Sequence, residues 1–269
     1  MLALTGTENS VEIAPSVHLL PTCRVIFPGL SGPNVYLIAG RTPVIFDSGL
    51  DDADMVASDL KYVRQIGGSP AYVILSHHHL DHAGGAALIK ELSGASIVAH
   101  PLEAAQLENL VDLAVEDGYR ISCDGWELEL IHTPGHCAGH LCAYMPEQKV
   151  LFSGDHILGL GTTAIVPPKG DMAQYIASLR RLLNYDIRLI CPGHGPVIHA
   201  AHRKIEELIE HRLERERQGL ALYRRGLREI DRLVTEIYPE LDTHLQSLAK
   251  AQIRAHLDKL KQEGLLPRR

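Results

Sequence analysis

The stretch Ser76–Gly85, SHHHLDHAGG, constrains this chain more than any other. It places His77, His78, His79 and His82, with the carboxylate of Asp81, directly after the apolar run Ala71–Leu75. A short apolar run bounded by polar residues reads as a buried strand. Successive side chains of an extended segment face opposite sides, so His77 and His79 leave the strand end together while His78 points away. Two imidazoles on one side make a claw for a metal ion. Asp81 and His82 fall at the entry to a helix begun by AGGAALIKEL, whose small residues let the backbone pass close beneath an ion, and they form a second claw. Catalytic zinc takes imidazole and carboxylate donors and keeps one position for water. Two claws therefore predict two metals, each in need of further ligands.

Candidates for those ligands each close another β-type run. IHTPGHCAGH follows WELELIH and supplies His136 in a Pro-Gly turn, LFSGDHILG supplies Asp155, and LICPGHGPVIH supplies His194. The expected arrangement has His77, His79 and His136 on one metal and Asp81, His82 and His194 on the other. Asp155 bridges them.

The rest of the chain frames this chemistry. With 269 residues, 45% of them hydrophobic and 22% charged, it can bury a sizeable core as one large domain or two smaller ones. The opening MLALTGTENSVEIAPS lacks a basic segment followed by a long apolar one. No run approaches the ~20 apolar residues of a membrane span, so a soluble cytoplasmic protein is expected. Five cysteines, Cys23, Cys123, Cys137, Cys142 and Cys191, show no zinc-knuckle or CxxC spacing and read as reduced structural thiols. The net charge of −7 conceals a division: residues 1–200 hold 11 Lys/Arg against 21 Asp/Glu, and residues 201–269 hold 15 against 12. Short β-type runs alternate with helical stretches over Asp54–Ile66, Gly85–Leu92 and Met172–Leu183 in the first part. Beyond residue 200 almost every segment is helical, with oppositely charged residues three or four apart. A catalytic domain over 1–200 and a helical domain over 201–269 follow.

Taken in order, FDSG with Asp47, HHHLDH, TPGH, SGDH and PGHG resemble the motifs of the metallo-β-lactamase superfamily over residues ~17–200. FSGDHILGLGTT, CPGHGPVIH and the helical tail look more narrowly like its mitochondrial β-lactamase-like endoribonuclease subgroup. The resemblance implies an α/β fold, an αββα sandwich with the metals at one edge, followed by a small helical winged-helix-like domain. Antibiotic-hydrolysing members generally lack the bridging aspartate that this chain has as Asp155, and the flavin-partnered di-iron reductases place Glu where it has His79. Both activities are disfavoured. Seven imidazole-rich ligands suit two Zn²⁺ best, with Mn²⁺ or Fe²⁺ as other ions such a site can hold. Two ions sharing a water generate hydroxide at neutral pH and polarise a scissile carbonyl or phosphoryl oxygen, so the expectation is a binuclear zinc-dependent hydrolase without a protein nucleophile.

The residues expected to carry catalysis are Asp81 among the ligands, Asp47 and His156. Asp47 would take a hydrogen bond from a metal-bound imidazole and fix its tautomer. His156 would donate a proton to a leaving group or, on the competing reading, is a loop histidine. His140 is expected to support the site without binding metal. Two substrate classes are expected: single-stranded RNA, gripped through the tail residues Arg203, Arg224, Arg225, Arg228, Lys250, Arg254, Lys259, Lys261, Arg268 and Arg269, or a small thioester, lactone or other ester. In the second case the tail shapes the pocket or makes a homodimer. The segment GLGTTAIVPPKGDMAQY, with Thr162, Thr163, Lys169 and Tyr175, is expected to form a substrate loop.

Overall fold

In a computed structural model, residues 10–21, 32–123 and 125–267 are described. The chain divides into two compact units. The first comprises residues 1–132, 139–161 and 186–201; the second comprises 133–138, 162–185 and 202–269. The segments 133–138 and 162–185, expected in the catalytic part, belong to the second because they are hydrogen-bonded to one another and to its helices.

The first unit holds two sheets. One runs β1 (Val11–Ala14), β2 (Val17–Pro21), β3 (Asn34–Ile38), β4 (Val44–Phe46), β5 (Tyr72–Ile74), β6 (Ser96–Ala99) and β7 (Leu113–Ala114) in sequence order, antiparallel up to β4 and parallel from there on. The other runs β12 (Leu189–Pro192), β11 (Val150–Gly154), β10 (Leu141–Met145), β9 (Trp126–His132) and β8 (Tyr119–Cys123). Side-chain alternation decides the packing. Tyr36, Ile38, Val44, Phe46, Ile74 and Val98 of the first sheet cluster with Leu128, Leu130, Leu141, Ala143, Phe152 and Cys191 of the second. Val35, Leu37, Ile45, Val73, Leu75 and Ile97 point the other way. They meet Val56, Leu60 and Val63 of α1 (Ala53–Ile66) and Ala86 and Ile89 of α3 (Ala86–Ser93), spaced as one helical face. Burial on both faces explains why these strands read as continuous apolar runs.

The hairpin β1–β2 and the strands β7, β8 and β10 were not among the expected runs. VEIAPSVHLL turns on Pro15-Ser16, with Ser16 at φ 63°, and its partly exposed β1 gives no continuous apolar signal. The expected helices appear within one or two residues of their predicted ends. AGGAALIKEL differs: Leu80–Ala83 form a separate helical turn, α2, which carries Asp81 and His82. A Cβ at Gly84 would come within 2.6 Å of Asp51 N, and one at Gly85 within 2.4 Å of Ser48 O. The small residues therefore admit the backbone of loop 48–51, the neighbour of Asp47, rather than clearing space beneath an ion. A single turn, α4 (Pro101–Ala104), follows β6 and carries Glu103.

In the second unit, α5 (Met172–Leu182) is capped by Asp171, whose carboxylate accepts the Gln174 N–H at 3.0 Å. Helices α6 (Ala201–Arg224), α7 (Ile230–Ile237) and α8 (Gln246–Gln262) follow. Leu233, Val234, Ile237, Ile253, Leu257 and Leu260 form their core. Among the described residues, no helix is long and apolar enough to cross a membrane. Cys137, Cys142 and Cys191 are buried thiols, and Cys23 lies outside the described residues.

Candidate metal centre

Four of the chain turns that follow strands in the first unit bring donors to the same sheet edges. β4 and β5 are parallel neighbours, as are β11 and β12, so Asp47, the 76–82 segment, Asp155 and His194 all leave corresponding strand ends. His82 Nε2 stands 3.2 Å from His194 Nε2 and 3.2 Å from Asp155 Oδ1. Asp81 Oδ2 is 3.3 Å from His194 Nε2 and 3.9 Å from His82 Nε2, and Asp155 Oδ1 is 3.4 Å from His194 Nε2. Four donors around one ion at the usual zinc–ligand lengths are separated by about 3.3 Å in tetrahedral geometry. The spacing of Asp81, His82, His194 and Asp155 fits that figure.

Beside them, His77 Nε2 faces His79 Nδ1 at 2.9 Å, which is the predicted claw. His77, His82 and Asp155 each offer an atom within 4.8 Å of the others, so Asp155 lies between the claws. A Cβ on Gly193 would sit 2.7 Å from His82 Cε1 and 2.8 Å from Asp155 Oδ1, and one on Gly154 would sit 2.6 Å from Ser76 Cβ. The two glycines leave just the room the donors occupy. The residues of the first unit thus fit a group of divalent ions by donor type, spacing and space.

Hydrogen bonds fix which nitrogen carries each lone pair. Asp47 is fully buried at φ 60°, and its carboxylate accepts the His82 Nδ1–H at 2.8 Å. Because a carboxylate only accepts, the neutral His82 ring, the form that binds metal, carries its proton on Nδ1 and its lone pair on Nε2, the atom facing the other donors. Asp47 also accepts Ser76 N–H at 2.7 Å and the Ser76 hydroxyl at 2.9 Å. That hydroxyl, its proton committed to Asp47, accepts His77 Nδ1–H at 2.9 Å, which leaves the His77 lone pair on Nε2. One buried carboxylate therefore sets two imidazoles, as carboxylate–histidine pairs do in metal sites. Burial works against the charged form of His82, but the carboxylates of Asp155 and Asp47 outweigh it and push its pKa well above the ordinary range. Burial likewise opposes ionisation of Asp81, yet His194 and His82 hold its carboxyl below the usual value.

His78 departs from the claw. Its backbone N–H donates to Glu103 Oε2 at 2.9 Å and its Nδ1 is bonded to the same oxygen, while Glu103 Oε1 accepts Gly139 N–H at 2.8 Å. Asn34 donates its side-chain amide to Pro192 O at 2.9 Å and Gly195 O at 2.8 Å, and Tyr36 Oη donates to Pro192 O at 2.8 Å, which clamps the loop bearing His194. Ser76, Glu103, Asn34 and Tyr36 escaped the sequence reading, although Ser76 directly precedes the histidine cluster.

His156 is fully buried in the first unit, its ring 5.8 Å from that of His140. His140 is equally buried, 5.4 Å from the His77 ring. Thr163 and Tyr175 are buried in the second unit, while Thr162 and Lys169 are exposed. His136 lies in that unit, with Nδ1 2.7 Å from Ala164 O.

The metallo-beta-lactamase superfamily model matches residues 28–194, and a beta-lactamase-associated winged helix domain model matches residues 230–268. The chain belongs to the metallo-β-lactamase superfamily. The "Beta-lactamase-like protein 2 homolog" of Caenorhabditis elegans is 32% identical over 88% of this chain and 81% of that protein. An "Atrochrysone carboxyl ACP thioesterase" of Aspergillus fumigatus is also 32% identical, over 81% of this chain and 70% of its own length. A metallo-beta-lactamase family protein from Thermus thermophilus shares the fold with a TM-score of 0.77 at 24% identity, covering 96% of this chain and 97% of its own. This metallo-β-lactamase relative is accordingly an enzyme of the superfamily's hydrolases, with a C-terminal winged helix domain and a cluster of His and Asp side chains able to hold metal.

Proposed function

We propose that this protein is a binuclear zinc-dependent hydrolase acting on a small apolar ester or thioester. Asp81, His82 and His194 hold one ion, His77 and His79 with His136 hold the other, and Asp155 is shared. When bound, two such ions polarise a scissile carbonyl and lower the pKa of water. The chain's own residues do the remaining work. Asp47 and Ser76 keep the lone pairs of His82 and His77 aimed at the centre, and Glu103 ties down the backbone between His77 and His79.

The observation that carries the substrate class is Leu80. It lies between His79 and Asp81 and is 80% exposed, so it offers apolar surface beside the proposed ligands. Leu160, 64% exposed, adds a second apolar side chain, and the Gly159–Leu160 backbone packs against Gly195, next to His194. The case for single-stranded RNA rests on the tail's basic residues, and four of those expected to contact phosphates are bonded to acids. Lys259 is buried between Glu216 and Glu263 at 2.8 Å each, Lys250 pairs with Asp231 at 2.8 Å, Lys261 with Asp258 at 2.8 Å and Arg203 with Glu207 at 2.7 Å. Arg224, Arg225, Arg228 and Arg254 are exposed, and Arg268 and Arg269 lie outside the described residues. The reading of an apolar acyl group therefore rests on Leu80 and Leu160, and the ion pairs of Arg203, Lys250, Lys259 and Lys261 take four cations from a polyanion, whose binding depends on free ones.

The test is a panel assay of zinc-loaded protein against acyl thioesters of increasing chain length, a lactone, a simple phosphodiester and single-stranded RNA. The proposal expects kcat/KM to rise with acyl length and Leu80→Asp to erase that rise. Efficient, steeply salt-dependent RNA cleavage with no thioester turnover would replace it with the nuclease reading.

A further inference from the structure

The second unit contains an arginine in an unusual place. On α6, Ile205 and Leu208 are buried, and the stripe they begin continues at Arg212, which is 2% exposed. A buried guanidinium is costly unless its hydrogen bonds are committed, so its partners carry information. Arg212 Nη2 donates to Thr163 O at 2.6 Å, and Nη1 donates to Gln252 Oε1 at 3.1 Å. Gln252 of α8 donates its own amide to Thr163 O at 3.3 Å, closing a triangle of three bonds.

The next carbonyl along, Ala164 O, lies 2.7 Å from His136 Nδ1. A carbonyl only accepts, so this contact places the His136 proton on Nδ1 and the lone pair on Nε2. Arg212 also reaches the other side of the same turn. Its guanidinium lies 5.3 Å from the centroid of the Tyr175 ring. Tyr175 is fully buried against Gly135, where a Cβ would come within 2.4 Å of the Tyr175 Cα. Gly135 O accepts Asp171 N–H at 2.8 Å and Pro134 O accepts the Ser178 hydroxyl at 2.8 Å, which fastens the turn to α5.

We propose that Arg212 and Gln252 are positioning residues for His136: helices α6 and α8 set its tautomer and aim through the Thr163–Ala164 segment. The inference rests on the reading of His136 as a metal ligand. The identity of residue 212 is then a matter of geometry rather than charge, because a forked donor spans the Thr163 carbonyl and Gln252 together.

Four variants of the full chain test it: Arg212→Met, Arg212→Lys, Gln252→Leu and His136→Ala. The first readout is ring-nitrogen NMR of His136 in metal-free protein; the second is Zn²⁺ affinity by chelator competition. Wild type should show the Nδ1–H tautomer. Arg212→Met should show a mixture and weaken by about 10–100-fold the zinc site that His136→Ala weakens, as loss of an outer hydrogen-bond partner does. Arg212→Lys should recover part of both signals, since it restores a donor to Thr163 O. If Arg212→Met fails to fold, Gln252→Leu, which leaves the guanidinium in place, should still shift the tautomer population. Loss of thermal stability with the tautomer and affinity unchanged would overturn the positioning role. Unaltered zinc binding in His136→Ala would instead overturn the ligand reading, and the tautomer measurement would still decide the coupling.

Discussion

Asp47→Asn isolates the contribution of a single buried carboxylate. Asparagine tolerates the left-handed backbone at φ 60°, so the turn itself is preserved. The side chain, however, exchanges one acceptor oxygen for an amide donor. If its oxygen keeps the Ser76 N–H, its amide confronts the Ser76 hydroxyl and His82 Nδ1–H, which are both donors to Asp47 in the wild type. His82 relieves that conflict by moving its proton to Nε2, the nitrogen that faces His194 and Asp155. The lost bond involves a charged acceptor and is worth about 1.5–3 kcal/mol. At ~1.4 kcal/mol per decade this corresponds to roughly 10–100-fold in metal affinity, the range seen for outer-shell partners. Proton competition adds a pH signature. Asp155 and Asp47 both hold the His82 pKa well above its ordinary value, so zinc must displace a proton and wild-type affinity climbs as pH rises. Removing the Asp47 charge weakens that competition, so the deficit of the variant should be largest at pH 8 and shrink toward pH 6. Chelator competition across that range measures both effects. Affinity within about threefold of wild type at pH 8, or a deficit that grows on acidification, would refute the tautomer argument.

Two further outcomes follow from local geometry. Gly193→Ala forces a methyl group to within 2.7 Å of His82 Cε1 and 2.8 Å of Asp155 Oδ1, so it should cost about 1–3 kcal/mol and weaken zinc binding, as read by chemical denaturation and chelator competition; unchanged binding would contradict the packing. Asp59, on α1, is pushed up to about 7 by burial. A folded-state pKa above the unfolded one means that ionisation destabilises the fold as pH rises from about 4 through 7, so Asp59→Asn should gain about 1–2 kcal/mol at pH 8, after allowing for solvent screening, and nothing at pH 4; an equal gain at both would refute the assignment.

What the sequence revealed here was whatever lay close together along it. His77 and His79 could be placed because strand alternation is a local rule, Asp155 and His194 because each follows an apolar strand, and Asp47 through the resemblance of FDSG to a superfamily motif. Glu103 could not be placed: it reaches the backbone of His78 from 25 residues away with no periodic signal. Arg212 was equally hidden, since a charged residue in a charge-rich helix reads as solvated and only the packed structure turns it inward. Lys259 failed for the same reason, offered as a phosphate contact but buried against Glu216. The glycines of AGGAALIKEL were recognised as spacers, but the neighbour they admit is loop 48–51, which only the tertiary fold brings there.

Two metal ions joined through Asp155 are the centre of the proposed chemistry. Elemental analysis of protein loaded with zinc and freed of excess ions should find two ions per chain in the wild type and close to one in Asp155→Ala, with turnover lost in the variant. A single ion in the wild type, or two retained at normal turnover in Asp155→Ala, would contradict it.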